Sequence, residues 1–199
     1  NISEVISIFV ATLCGFTILH PVHLLWINLV TDSFPALALG VEKAEPGIME
    51  RKPRSAKSGV FSGGLGTDVA YQGIMVSVLV LISYFVGHFI EFGTWAMGNS
   101  EHGVTMAFLT MSMAEIFHSF NMRSQRGSIF KLGGHNKFLI GAAVAALLAT
   151  TLVCEIPFLA VAFGFTSVTL KEYAIAIGLG VCVIPIVEIV KFFQRKFAK

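Results

Sequence analysis

Apolar residues gather into six long segments, roughly 1–15, 22–40, 66–90, 104–122, 138–154 and 173–193, with polar stretches between them. A helix needs about 20 mostly apolar residues to cross a bilayer. Five of the segments reach or approach that length, and the first is short, as a helix cut at its start would be. Gly15 and Pro21 bracket a tight turn between the first two. The pattern predicts an all-α, polytopic membrane helical bundle with six transmembrane segments. Gly141, Ala145 and Ala149 recur every fourth residue, a small-residue seam of the kind that lets membrane helices approach closely. No repeat, low-complexity tract or linker divides the chain, so residues 1–199 read as one domain. The chain opens Asn1-Ile2-Ser3-Glu4, without Met and already inside an apolar segment, and is expected to be a piece of a longer polypeptide.

Composition agrees: 55% of residues are hydrophobic, 13% are charged and the mean hydropathy is +0.77. Those values exclude an ordinary soluble core. Placement of the charge adds orientation. Loop 41–60 holds Lys43, Arg51, Lys52, Arg54 and Lys57, loop 123–137 holds Arg123, Arg126, Lys131 and Lys137, and the tail holds Lys191, Arg195, Lys196 and Lys199. In a six-pass chain these lie on one side, with only Lys171 opposite. The positive-inside rule makes that side cytoplasmic, with both chain ends inside. The expected location is therefore integral and multi-pass, in the plasma membrane, with the lipid bilayer as a partner and no nucleic acid. Cys14, Cys154 and Cys182 have no disulfide or metal spacing and read as small apolar residues.

The candidate chemistry centres on Asn28-Leu29-Val30-Thr31-Asp32-Ser33-Phe34-Pro35, inside the second segment. Asn28, Thr31 and Asp32 share one helical face. Pro35 has no N–H for the carbonyl of Thr31, so this helix is expected to break near Asp32–Pro35. A carboxylate, an amide, a hydroxyl and a freed carbonyl would then form an oxygen cage suited to a hard cation. The plain alternative is a proline-kinked helix. An intramembrane carboxylate argues for the ion site, because burying it unpaired is costly.

Glu4 and Glu115 are the other acids deep within apolar segments. At 1.5 Å per residue all three carboxylates sit roughly 15 Å from the outer ends of their helices. Clustered carboxylates in low dielectric must be protonated or hold cations, and alternation between those states is cation/proton exchange chemistry. Competing motifs are weaker. Glu115-Ile116-Phe117-His118 is a single Glu-x-x-His where di-iron bundles use two. Gly63-Gly64-Leu65-Gly66-Thr67 lacks the lysine of a phosphate loop. It reads as a flexible entrance to the third helix, capped by Thr67 or Asp68.

Asn28 to Asp32, followed by Pro35-Ala36-Leu37-Ala38-Leu39-Gly40, resembles the sixth transmembrane helix of P-type Ca²⁺-transporting ATPases. Asn1-Ile2-Ser3-Glu4-Val5 is similar to the ligand-bearing part of their fifth helix. Met49-Glu50-Arg51-Lys52-Pro53-Arg54 resembles the loop between helices six and seven, and Glu115 resembles the acidic position of helix eight. The resemblance implies the carboxy-terminal transmembrane domain, from part of helix five to helix ten. It implies one Ca²⁺ site from Asn1, Glu4, Thr31, Asp32 and Glu115, and part of a second from Asn28 and Asp32. Helices one to four and the cytoplasmic domains, with ATP, Mg²⁺ and the Asp-Lys-Thr-Gly-Thr phosphorylation motif, would belong to the rest of the polypeptide. No catalytic residue is expected within these 199, and proton counter-transport is expected. Ser3 stands where the family often has Gly, and His118 where the animal sarcoplasmic-type pumps have Asn. The alternatives are a P-type pump for Na⁺, K⁺ or Mn²⁺, or an ATP-independent cation/proton exchanger.

Overall fold

A computed structural model describes residues 1–44, 48–50, 53, 55, 57–132 and 134–197. Arg51, Lys52, Arg54 and Lys199, which entered the charge argument and the 49–54 motif, lie outside the described residues. Among the described residues every regular element is helical: α1 (Ile2–Leu13), α2 (Pro21–Trp26), α3 (Ser33–Leu39), α4 (Leu65–Phe92), α5 (Glu101–Asn121), α6 (Lys137–Glu155), α7 (Pro157–Phe163), α8 (Leu170–Val181) and α9 (Val183–Phe197). A π-helical segment, Ile27–Asp32, joins α2 to α3. Pro21–Leu39 is thus one rod, and the expected irregularity is a widened turn ending at Asp32. Such turns insert an i→i+5 repeat into an α-helix and recur at functional sites. Here the Ser33 hydroxyl donates to the carbonyl of Asn28, five residues back, at 2.8 Å. The α8–α9 joint has a plainer cause. Pro185 offers no N–H to the carbonyl of Val181, and the helix interrupts at Cys182.

Among the described residues four helices, Pro21–Leu39, Leu65–Phe92, Lys137–Glu155 and Leu170–Phe197, are long and apolar enough to cross a membrane. Helix α1 is apolar but only 12 residues long. Helix α5, the fourth segment of the sequence pattern, has the length, yet it carries Thr105, Thr110, Ser112, Ser119 and Asn121, all buried. Every residue from Gly103 to Ala114 is buried, so α5 is a central rod sheathed by the others. Neighbours serve some of its polar side chains: Thr110 donates to Ser83 Oγ at 2.7 Å and also contacts the carbonyl of Ala176, while Thr105 and Ser119 donate to carbonyls of α5 itself and the Ser112 hydroxyl has no partner among the described residues. The sheath helices supply the hydrocarbon-facing surface, which relieves α5 of that requirement.

Contact between α4 and α5 depends on two glycines. A Cβ at Gly87 would lie 2.8 Å from the Cα and N of Gly103, and one at Gly103 would lie 2.9 Å from the carbonyl oxygen of Tyr84. The backbones touch there, and that closeness sets where α5 carries Glu115 relative to α4. The Gly141, Ala145 and Ala149 seam does not pack inside this chain. Gly141 and Ala145 are exposed and a Cβ at Gly141 would meet nothing within 4 Å. Helix α6 buries Leu139, Ala143, Ala146, Thr150 and Val153 instead. It is tied to the α2–α3 rod by Trp26 Nε1 donating to Thr150 Oγ1 at 3.3 Å, and by Asn136 Nδ2 donating to the Ala38 carbonyl at 3.0 Å. Helix α7, absent from the sequence pattern, starts at Pro157, whose missing N–H suits a first helical position. The start of α4 is capped by neither Thr67 nor Asp68. Gly64 takes the cap position at φ 82°, and Asp68 instead accepts from Gln125 and Gln194 and pairs with Arg126. The three cysteines are free thiols.

Candidate cation site

Helix α1 reaches the site by docking on α4. Gly73 leaves room for Ile2, since a Cβ there would come within 2.6 Å of Ile2 Cγ2. Ser77 then donates to the carbonyl of Ser3 at 3.0 Å. This docking presents Ser3 to α5, where its hydroxyl donates to Glu115 Oε1 at 3.0 Å. Glu4, one residue on, is 5% exposed. Its Oε2 accepts from Asn28 Nδ2 at 3.3 Å, while its Oε1 is buried with no hydrogen-bond partner. Asn28 also donates to the carbonyl of Leu24 at 2.8 Å, and its Oδ1 accepts from Asn1 Nδ2.

Thr31 is buried, and its hydroxyl donates to the carbonyl of Ile27 at 2.9 Å. That bond uses the hydroxyl proton and leaves oxygen lone pairs available as an acceptor. Asp32, half-buried at the end of the π-helical segment, has no side-chain hydrogen bond among the described residues. Asp32 acts electrostatically on both Glu4 and Glu115, and Glu4 on Glu115. No Lys or Arg pairs with any of the three among the described residues. Like charges at this proximity in a partly dry site demand a proton or a cation.

Five of the six residues singled out from sequence are therefore joined in two hydrogen-bonded or electrostatic groups. Asn1, Glu4 and Asn28 form one chain of contacts, Ser3 and Glu115 a second, and Asp32 is coupled to both. Thr31 sits beside Asp32 with its hydroxyl turned along its own helix. Among the described residues no three His, Cys, Asp or Glu side chains close a metal cage by themselves. A cation here would need the neutral oxygens of Asn28 and Thr31 as well as the carboxylates, which is the hard-ligand mixture that Ca²⁺ accepts.

Sequence reasoning missed the supporting polar groups. Gln72 and Ser77 lie outside the motifs, and Ser3, inside the first of them, stood out only as a replacement for Gly, although Ser3 and Ser7, four apart on an apolar helix, already marked a buried polar face. A cavity of about 140 Å³ beside Glu115 is lined by Asn1, Ser3, Gln72 and His118, among others. His118 is committed elsewhere than to Glu115. Asn121 Nδ2 donates to its Nδ1 at 3.2 Å, and Asn121 is oriented by a second donation to the Val183 carbonyl at 3.2 Å. The ring proton then sits on Nε2 and points to Gln72 Oε1 at 3.1 Å, which removes the Glu-x-x-His reading. His23, on α2, is fully buried. It contacts the Phe163 carbonyl at 2.8 Å and stacks on Phe165.

The family described as "Cation transporting ATPase, C-terminus" matches residues 16–193. Calcium-transporting ATPase 1 of Bacillus cereus is 34% identical over 207 residues, covering 98% of this chain and 23% of the relative. A calcium-transporting ATPase of Listeria monocytogenes is 35% identical over 208 residues, covering 100% of this chain and 22% of the relative. An endoplasmic reticulum-type calcium-transporting ATPase of Arabidopsis thaliana is 30% identical over 220 residues, covering 98% and 22%. The chain thus spans less than a quarter of the length of these relatives. With helices, buried carboxylates and a family match running together over nearly all of its residues, this chain belongs to the cation-transporting ATPases and corresponds to their C-terminal region.

Proposed function

We propose that this chain is the membrane part of an ATP-driven Ca²⁺ pump, supplying most of one cation site and part of a second. The observation that carries the reading is Glu4. Its Oε1 is buried and unpartnered, beside two further carboxylates, with no basic residue to neutralise any of them among the described residues. An orphaned carboxylate oxygen inside a membrane bundle is costly unless a cation or proton fills the place. Asn1, Glu4, Thr31, Asp32 and Glu115 would hold one Ca²⁺. Asn28 and Asp32 would contribute to the second, completed by helix four elsewhere in the polypeptide. For Asn28 to ligate, it must exchange its contact with Asn1 for the ion, so binding would reorganise the contact between the start of α1 and the π-helical segment.

When Ca²⁺ leaves, the same carboxylates would take protons, which gives counter-transport in the opposite direction. ATP and Mg²⁺ would act in the cytoplasmic domains of the full polypeptide, since this chain has no Asp-Lys-Thr-Gly-Thr motif. The basic loops would face the cytoplasm in the plasma membrane, with both ends of this chain inside. The test is ⁴⁵Ca²⁺ uptake into sealed vesicles containing the ATPase that carries this chain. ATP-dependent uptake, with counter-flow of protons, is expected. Uptake driven by a proton gradient without ATP would replace the reading by an exchanger, and ATP-driven transport of Na⁺, K⁺ or Mn²⁺ in place of Ca²⁺ would reassign the ion.

A further inference from the structure

Three helix ends meet at one level: α3 finishes at Leu39, α5 at Asn121, and α6 begins at Lys137. Between them lies a cavity of about 280 Å³, lined by Val41, Glu42, Lys43, Arg123, His135 and Lys137, among others. Its floor is a closed polar network. Arg123 donates through Nε and Nη2 to the two oxygens of Glu42, at 3.0 and 2.9 Å, and also to the carbonyl of Gly134. Asn136 Nδ2 adds a bond to Glu42 at 2.7 Å. The Arg123 and Glu42 charges therefore cancel against each other. Lys43 and Lys137 do not cancel: both are exposed, and neither has an acidic partner among the described residues. His135 adds a third polar group to the same wall.

The surroundings are as specific as the charge. Two candidate spans, Pro21–Leu39 and Lys137–Glu155, end at this cavity, which puts it at the head-group level of a bilayer. Apolar side chains stand uncovered on the helices that end here: Phe138, which lines the cavity, is 73% exposed, and Leu37, two residues before the end of α3, is 75% exposed. A small cationic pocket above exposed apolar side chains, at the boundary of the hydrocarbon, has the two-part chemistry of an anionic lipid. Basic pockets between transmembrane helices are recognised sites for anionic head groups. A zwitterionic head group would bring a cation of its own against the two lysines.

We propose that this cavity binds the head-group phosphate of an anionic phospholipid, with Lys43 and Lys137 contacting the phosphate and Phe138 and Leu37 lying along the acyl chains. The lipid would bridge α3, which continues from the Asp32 segment, and α6.

Native mass spectrometry of the full-length ATPase carrying this chain tests it, with phosphatidylglycerol, phosphatidylcholine and glycerol 3-phosphate as probes. The expected result is retention of phosphatidylglycerol over phosphatidylcholine, and no competition from equimolar glycerol 3-phosphate. Lys43→Gln/Lys137→Gln should weaken phosphatidylglycerol about thirtyfold, from the worth of two lysines facing an anionic lipid. Lys57→Gln, outside the cavity, should stay within about twofold. Unchanged affinity in the double variant, or equal retention of the two lipids by wild type, would overturn the proposal. Equal displacement by glycerol 3-phosphate would also overturn it, making the cavity a site for free phosphate.

Discussion

Gly87→Ala and Gly141→Ala are the same chemical change on two helices, and the packing assigns them opposite outcomes. At Gly87 the new Cβ would sit 2.8 Å from three backbone atoms of His102 and Gly103. Ordinary contact begins at 3.4 Å, so the first turn of α5 must retreat by roughly 0.6 Å, an overpacking displacement. It is poorly placed to do so. Ser100 Oγ accepts from Gly103 N at 2.8 Å and donates to Glu91 at 2.6 Å, while the Tyr84 hydroxyl accepts from Ser100 N at 3.1 Å. Overpacking costs about 1–3 kcal/mol, offset by about 1 kcal/mol of helix propensity gained over Gly. Because the atoms met are backbone, the cost falls in the upper part of that range, and the net of about 1–2 kcal/mol, at roughly 2–4 °C per kcal/mol for a chain of this size, is a Tm lower by about 2–8 °C. At Gly141 nothing stands within 4 Å, and only the propensity gain of up to about 1 kcal/mol remains. Thermal unfolding in detergent, followed by tryptophan fluorescence, measures both. Equal shifts in the same direction, or a Gly87→Ala protein as stable as wild type, would refute the backbone contact between α4 and α5.

Further expectations concern charge. Glu42 is held below its ordinary value of 4.5, first by its hydrogen bond from Arg123 and then by that from Asn136. Its stabilising contribution is therefore complete above pH 4.5 and is lost as pH falls through the lower folded value. The Tm gap between wild type and Glu42→Gln should shrink on acidification below that point, and a constant gap would contradict the pairing. A double-mutant cycle of Glu42→Gln and Arg123→Gln should give a coupling of about 1–2 kcal/mol, scaled down because the Glu42 side chain is 19% exposed. In the full-length ATPase, Glu4→Gln and Glu115→Gln should each weaken Ca²⁺ at least about tenfold, and Ser3→Ala should act less, by removing only the donor to Glu115. Single cysteines in loop 91–102 should label from outside intact cells and those in loop 41–60 should not. Equal labelling of both would sink the topology.

Much of the bundle was legible because long apolar runs leave few choices. Helix α5 was legible by the spacing of its apolar residues, although its buried threonines and serines keep it from the hydropathy of a span. Helix α7 was not, since a seven-residue apolar helix after a proline looks like the tail of the segment before it. The seam at Gly141 misled for a different reason: small residues every fourth position name a face but not its partner, and α6 buries the Ala143–Ala146–Thr150 face. In the candidate site, Glu4, Asn28 and Asp32 stand out in the sequence by their spacing within α1 and the Pro21–Leu39 rod. Ser77, which fixes the backbone at Ser3, and Gln72, which engages His118, act across helices, and nothing local in the sequence announces a partner more than forty residues away. The break expected at Pro35 resolves into a π-helical turn ahead of it, a backbone choice that residue types alone leave open.

Asp32 is where the cation account is most exposed. It lies at the end of the π-helical segment, is coupled to Glu4 and Glu115, and has no hydrogen-bond partner among the described residues. Asp32→Asn keeps the shape and one oxygen and removes the charge. Losing a carboxylate from a hard-cation site should cost at least about 3 kcal/mol, on the scale of charge-assisted contacts, or roughly a hundredfold in affinity. The measurement is equilibrium ⁴⁵Ca²⁺ binding to the full-length ATPase carrying Asp32→Asn, with phosphorylation by inorganic phosphate as the folding control. A protein that still accepts phosphate but binds Ca²⁺ at least about a hundredfold more weakly is the predicted result. Wild-type Ca²⁺ affinity in that protein would mean that the Asn28–Pro35 stretch is a distorted helix and not a cation site.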